Sequence, residues 1–214
     1  MTSDSEKPFE GAVAVAPEVD ELHQIRLVGR GGQGVVTAGD LLGKAAVGEG
    51  RWAQSIPTFG PERRGALSLS TLRIGQKEVL LKCNQAQPDV LLVLDTTIWH
   101  QSNVFGGIKE GATLVFNTPR SAEEINQDLR SARYGFKIAA EHFRLFTVDA
   151  TGIALDTLGR PITNTAMMGA LVGATGLLKM ASVESVLEER FGARAAANVE
   201  AARAARDSLK ELED

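Results

Sequence analysis

Between Pro88 and Asp149 the chain carries three short runs that are apolar at nearly every position. They are Val90-Leu91-Leu92-Val93-Leu94-Asp95, Gly111-Ala112-Thr113-Leu114-Val115-Phe116-Asn117 and Arg144-Leu145-Phe146-Thr147-Val148-Asp149. A strand with one wet face alternates apolar and polar residues, whereas a run without alternation suits a strand covered on both faces, as in a parallel sheet. Helical patterns are predicted between the runs, over Thr97 to Phe105 and Ser121 to Leu129. The second opens on Ser121-Ala122-Glu123-Glu124, an N-cap followed by first-turn acids that suit the positive end of the helix dipole. Thr165 to Lys179 reads as a helix rich in small residues, and Val183 to Phe191 and Ala193 to about Leu212 as two more. In the last, Glu200/Arg203 and Asp207/Lys210 have the spacing of pairs on a solvated face. Strands alternating with helices predict an α/β fold, a Rossmann-like, mostly parallel sheet with helices on both faces. A length of 214 residues fits one such domain plus a short arm.

Upstream, Ile25-Arg26-Leu27-Val28 reads as a strand, and Val35, Ala38, Leu41, Leu42, Ala45 and Ala46 recur at helical spacing. Gly29-Arg30-Gly31-Gly32-Gln33-Gly34 lies between them and satisfies G-x-G-x-x-G. Glycines there permit a tight turn and let backbone N–H groups approach an anion at the helix N-terminus. The dinucleotide version also needs an acid about 20 residues on, to hold a ribose. The corresponding stretch, Arg51-Trp52-Ala53-Gln54-Ser55, has none, and Arg51 reads as a surface base. These residues leave a ligand-contacting turn and a plain tight turn equally open.

From Arg51 the chain is predicted to pass through a loop, Ile56-Pro57-Thr58-Phe59-Gly60-Pro61, and then a strand, Ala66 to Ile74. Glu78-Val79-Leu80-Leu81 is its expected hairpin partner across Gly75-Gln76. Phe59-Gly60-Pro61-Glu62-Arg63-Arg64-Gly65 concentrates charge just before the strand. The guanidinium forks suit a phosphate, a carboxylate or a subunit interface, and a local Glu62 ion pair is the third reading. Gly159-Arg160-Pro161-Ile162-Thr163-Asn164-Thr165 leads into the small-residue helix, with Thr163 or Asn164 as its expected N-cap. Met167-Met168-Gly169-Ala170, with Gly173 and Gly176, gives that helix a smooth face suited to a partner subunit.

Several chemistries are excluded by composition. The single cysteine, Cys83, cannot close an internal disulfide, bind an iron–sulfur cluster or build a structural zinc site, and reads as a buried thiol. His23, His100 and His142 are scattered, no lysine follows the glycines in Walker spacing, and there is no G-x-S-x-G elbow or metal-ligand cluster. No catalytic residue and no metal ligand is therefore assigned. A net charge of −4 argues against nucleic acid and anionic membrane surfaces, and no apolar run approaches the ~20 residues of a membrane span. Residues 1–23 read as a mobile or partner-docking arm. Their apolar stretch is too short for a signal peptide and is preceded by acids, so the cytoplasm is the expected location. Residues 24–214 form the expected domain.

Six of these segments together resemble one family. They are Gly29-Arg30-Gly31-Gly32-Gln33-Gly34-Val35-Val36-Thr37-Ala38, Phe59 to Gly65, Pro88-Asp89-Val90-Leu91, Asn117-Thr118, Asp149-Ala150-Thr151 and Gly159 to Gly169. In this order they are similar to the gamma subunit of 2-oxoacid:acceptor oxidoreductases, of which pyruvate:ferredoxin oxidoreductase is the best-known member. The resemblance runs from about Ile25 to about Asn198. It implies a multi-subunit enzyme that converts a 2-oxoacid and coenzyme A into acyl-CoA, carbon dioxide and two reducing electrons. It places thiamine diphosphate, magnesium and iron–sulfur clusters on alpha-, beta- and delta-type subunits, with ferredoxin or a flavin/NAD subunit as acceptor. Pyruvate, 2-oxoglutarate, branched 2-oxoacids, indolepyruvate and phenylglyoxylate are all substrates of relatives. The resemblance offers Gly31, Gly32, Gln33, Gly34, Arg63, Arg64 and Asn164 as contacts to coenzyme A or a neighbouring subunit, with the isolated chain inactive. The competing expectations are a stand-alone NAD(P)-dependent dehydrogenase, resting on Gly29 to Gly34, and a purely structural scaffold.

Overall fold

A computed structural model describes residues 22–59, 66–79, 87–100, 103–131 and 143–213. Arg63, Arg64 and Cys83 lie outside the described residues. Four parallel strands form the centre of one seven-stranded sheet: β1 (His23–Arg30), β4 (Val90–Val93), β5 (Thr113–Asn117) and β6 (Arg144–Val148). Antiparallel strands complete it, with β2 (Trp52–Phe59) and β3 (Leu67–Gly75) beside β1 and the two-residue β7 (Lys210–Glu211) beside β6. The order is β2-β3-β1-β4-β5-β6-β7.

The unalternating runs become central strands because both faces of the sheet are covered. Val90, Leu92 and Val115 point into one core, and Leu91, Val93, Leu114 and Phe116 into the other. The first core is filled by α1 (Val35–Gly48), α4 (Asn164–Thr175), α5 (Met180–Phe191) and α6 (Ala195–Asp207), with α3 (Ala150–Leu158) at its margin. The second lies under a 3-10 turn at Thr96–His100 and α2 (Ala122–Arg130), where Trp99 packs edge-on against Phe116 at 5.2 Å. Ser121 opens α2 with a full capping box: its hydroxyl accepts from the Glu124 amide, and the Glu124 carboxylate accepts from the Ser121 amide.

Several local expectations are corrected. Ile56 to Phe59 is not loop but part of β2, an edge strand on which Pro57 removes no interior ladder bond. β3 is paired along its length by β1 on one side and β2 on the other, which leaves it no free edge for the expected hairpin, whose Leu80 and Leu81 lie outside the described residues. The helix expected from Thr97 shrinks to the 3-10 turn, and α3 arises where no helix was predicted. α4 stops at Thr175 because Gly176 turns left-handed at φ 63°.

The smooth face of α4 is filled from within the chain rather than by another subunit. α4 is buried nearly all round, and α6 crosses it at Gly169 and Gly173, where Ala202, Arg206 and Leu209 lie against the glycines. The pairs expected along α6 also re-form elsewhere: Arg203 reaches Glu184 of α5 in a two-armed contact, and Arg206 meets Asp207.

Candidate functional site

β1 ends at the carboxyl edge of the parallel strands, the edge at which open α/β sheets bind ligands. The glycine turn follows it and is held by its own side chains. The Gln33 carbonyl oxygen accepts from the Arg30 amide at 2.7 Å, and its amide nitrogen donates to Asp95 Oδ2 at 3.0 Å. Arg30 Nε donates to the same Asp95 oxygen at 3.2 Å, and Nη2 to the Thr97 hydroxyl at 2.6 Å. Asp95 also accepts from the Thr97 hydroxyl and amide at 2.6 and 3.0 Å. Burial opposes its charge, but the Thr97 and Gln33 hydrogen bonds and the Arg30 guanidinium together hold its carboxyl below the usual carboxylate range. The acid that the dinucleotide pattern lacks at Arg51 to Ser55 thus has a counterpart in Asp95, just after β4, which braces the turn.

The root of the charged loop reaches the same place. The Gly31 amide donates to the Ala66 carbonyl at 2.9 Å, and Arg30 pairs with Leu67 across β1 and β3. Arg51 is no surface base. Its guanidinium donates to Glu49 at 2.8 Å and to the Leu177 carbonyl at 2.6 Å, tying the end of α1 to the start of α5.

Gly34 sits at the N-cap of α1 with φ 79°, a left-handed conformation that glycine adopts without steric cost. No side chain caps this helix. A Cβ on Gly34 would lie 2.6 Å from Asn164 Nδ2, so the starts of α1 and α4 abut. Thr163 occupies the N-cap position of α4 as expected, but neither it nor Asn164 makes the capping bond. Instead Thr163 Oγ1, Asn164 Oδ1 and Thr165 Oγ1 are all buried without a hydrogen-bond partner among the described residues. One such atom left bare costs about 1–3 kcal/mol, so three in succession concentrate unmet hydrogen-bonding capacity at the start of α4.

Gly31, Gly32, Gln33, Gly34 and Asn164 are therefore brought together at one sheet edge. Sequence reasoning missed Asp95 and Thr97, and singled out Asn117 only within a family segment, without a role at the site. Asn117 ends β5; its amide nitrogen donates to the Leu94 carbonyl at 2.9 Å and to Thr151 Oγ1 at 3.0 Å, and its oxygen accepts from the Thr151 amide at 3.2 Å. The available signal was position: Asp95 and Asn117 each follow an apolar run, where a polar residue emerges at the carboxyl edge of the sheet. Among the described residues no cluster of His, Cys, Asp and Glu is arranged for a metal ion, and no helix is long and apolar enough to cross a membrane.

Residues 24–208 match the family described as pyruvate ferredoxin/flavodoxin oxidoreductase. The chain is 43% identical over 180 residues to the pyruvate/ketoisovalerate oxidoreductases common subunit gamma of Thermococcus kodakarensis, covering 84% of this chain and 92% of that one. It is 40% identical over 168 residues to pyruvate synthase subunit PorC of Methanocaldococcus jannaschii, covering 78% and 85% respectively. The crystal structure of pyruvate oxidoreductase subunit PORC from Thermotoga maritima superposes with a TM-score of 0.75 at 32% identity, covering 90% of this chain and 99% of that one. The order of motifs, the α/β fold and these likenesses agree: the chain belongs to the pyruvate ferredoxin/flavodoxin oxidoreductase family, as a gamma-type subunit of a multi-subunit 2-oxoacid:ferredoxin oxidoreductase.

Proposed function

We propose that this subunit positions coenzyme A for a cytoplasmic, thiamine-diphosphate and iron–sulfur dependent oxidoreductase, and helps hold its other subunits together. The overall reaction converts a 2-oxoacid and coenzyme A to acyl-CoA and carbon dioxide, with two electrons passing to ferredoxin. Relatives named for pyruvate and ketoisovalerate favour small or branched aliphatic 2-oxoacids as substrate. Thiamine diphosphate with its magnesium supplies the carbanion chemistry and the clusters carry the electrons; both are assigned to the other subunits, the clusters because one cysteine cannot ligate one.

The observation that carries this reading is the meeting of Gly34 with Asn164. Gly32 has nothing near the place a Cβ would take, left-handed Gly34 seats the Asn164 side chain, Gln33 holds the turn in shape, and Asn164 with its threonine neighbours offers unused hydrogen-bonding groups. Arg63 and Arg64, on the loop rooted beside Gly31, are assigned to the anionic groups of coenzyme A or to a facing subunit. The N-terminal arm is assigned to docking on a neighbouring subunit, and its expected end at residue 23 moves back because His23 already belongs to β1 and pairs with Ile74.

The test uses the assembled complex. Asn164→Ala is expected to raise KM for coenzyme A about tenfold while leaving KM for the 2-oxoacid unchanged, the signature of lost binding at one substrate only. An unchanged KM for coenzyme A in both this variant and Arg63→Ala/Arg64→Ala, or loss of assembly in their place, makes the chain a scaffold and overturns the positioning role.

A further inference from the structure

A cleft of about 680 Å³ opens between the α3–α4 connection, the start of α4, the end of α5 and the start of α6. Arg160, Arg190 and Arg194 line it, and no Asp or Glu does. This distribution is unusual within the chain, where acids outnumber bases by 27 to 23. Arg120, Arg144 and Arg203, by comparison, have carboxylate partners in Asp128, Glu211 and Glu184. Among the described residues none of the three cleft arginines has one. Three like charges around one hollow repel each other, and an anion between them turns that repulsion into attraction.

The rest of the lining says which anion. Leu158, Ile162 and Phe191 add apolar surface to the lining, with Ile162 45% exposed and the Arg190 guanidinium 5.9 Å from the centre of the Phe191 ring. Inorganic phosphate has no use for such a surface, whereas a flat ring does. The volume is within the range of pockets that take cofactor-sized ligands. Asn164 lines the cleft and also lies against Gly34, so the cleft reaches the glycine turn.

We propose that this cleft binds a phosphorylated purine nucleotide, with Arg160, Arg190 and Arg194 on the phosphates and the Leu158/Ile162/Phe191 surface against the base. Two sources share that chemistry. One is the nucleotide end of coenzyme A, whose thiol arm would then pass toward Gly34; this form rests on the positioning role above. The other is a free purine nucleotide acting as an effector.

The experiment titrates the full-length chain calorimetrically with coenzyme A, adenosine 3′,5′-bisphosphate, ATP, adenosine and inorganic phosphate. Phosphorylated nucleotides are expected to bind at least ~10-fold more tightly than adenosine or phosphate, and Arg160→Gln/Arg194→Gln to weaken them about 100-fold, since charge-assisted bonds are the strong ones. The unfolding midpoint should stay unchanged, because both arginines are exposed. Coenzyme A and the 3′,5′-bisphosphate binding ahead of ATP supports the first source; ATP binding as tightly supports the second. Absence of nucleotide binding, or binding that the variant leaves intact, overturns the proposal. So does a variant that keeps nucleotide affinity but no longer assembles with the other subunits, which would make the cleft a protein interface. If cleft variants leave KM for coenzyme A unchanged in the complex and nucleotide affinity unchanged in the chain, while Asn164→Ala raises that KM, this inference fails and the positioning role stands.

Discussion

Gly169 is the position at which one added methyl should do most damage. It lies at the crossing of α4 and α6, and a Cβ built there falls 2.7 Å from Ala202 Cα and closer still to the Ala202 carbonyl. Real Cβ contacts essentially never come under 3.0 Å. The obstruction is backbone, so no rotamer change relieves it. The helices must part by about 1 Å or more, and a gap of 0.5–1 Å already forfeits a quarter to a half of each dispersion contact it opens. Overpacking alone costs about 1–3 kcal/mol, and loosening the buried α4–α6 contact adds to it, so Gly169→Ala is expected to destabilise by about 3–5 kcal/mol. Gly43 in α1 is the control. A methyl there meets nothing nearer than Leu72 Cδ1 at 3.4 Å, so Gly43→Ala should gain about 0.5–1 kcal/mol from reduced backbone entropy alone. Urea unfolding of both variants, read as a shift in midpoint at constant slope, measures the difference. A Gly169→Ala variant within 1 kcal/mol of the parent would show that the crossing is loose and that the reasoning is wrong.

Asp95 should make stability depend on pH in a defined direction. Its folded pKa lies below its unfolded one, so its contribution is fully present above the unfolded value, near ~3.9, and is lost as pH falls through the folded value. Asp95→Asn should cost about 2 kcal/mol near neutrality and flatten the acid limb of the stability curve; an unchanged acid limb in urea titrations counts against the brace. Asn117→Ala removes the tie between β4, β5 and α3 and should cost about 2–3 kcal/mol, with hydrogen exchange accelerated at the Thr151 amide; exchange at the parent rate would contradict the assigned bond. Ser121→Ala breaks the capping box of α2 and should cost about 1 kcal/mol in chemical denaturation, most of it recovered by Ser121→Asp.

What was legible in the chain was what local chemistry dictates. The three apolar runs identified the central strands, since only a doubly covered strand tolerates them, and Ser121 with Glu124 identified a helix start. The glycine turn was found because left-handed Gly34 and the crowded strand-to-helix corner need glycine. β2 was not found, because an edge strand half open to solvent has weak alternation and tolerates Pro57. α3 was hidden by Gly152 and by polar residues that serve its cap.

The family relation is also a property of the sequence, carried by motifs in order. Tertiary structure decided which residues those motifs meet. Gln33 and Asp95 are 62 positions apart in the chain and bond across two strand ends, and Gly34 and Asn164 lie 130 positions apart and touch. Nothing local to either partner encodes such a contact; it follows from the order and register of the strands that carry them. The same holds for the small-residue face of α4, whose sequence said only that something approaches closely. Folding brought the chain's own α6 there, because burying that face internally removes apolar surface from water without waiting for another subunit.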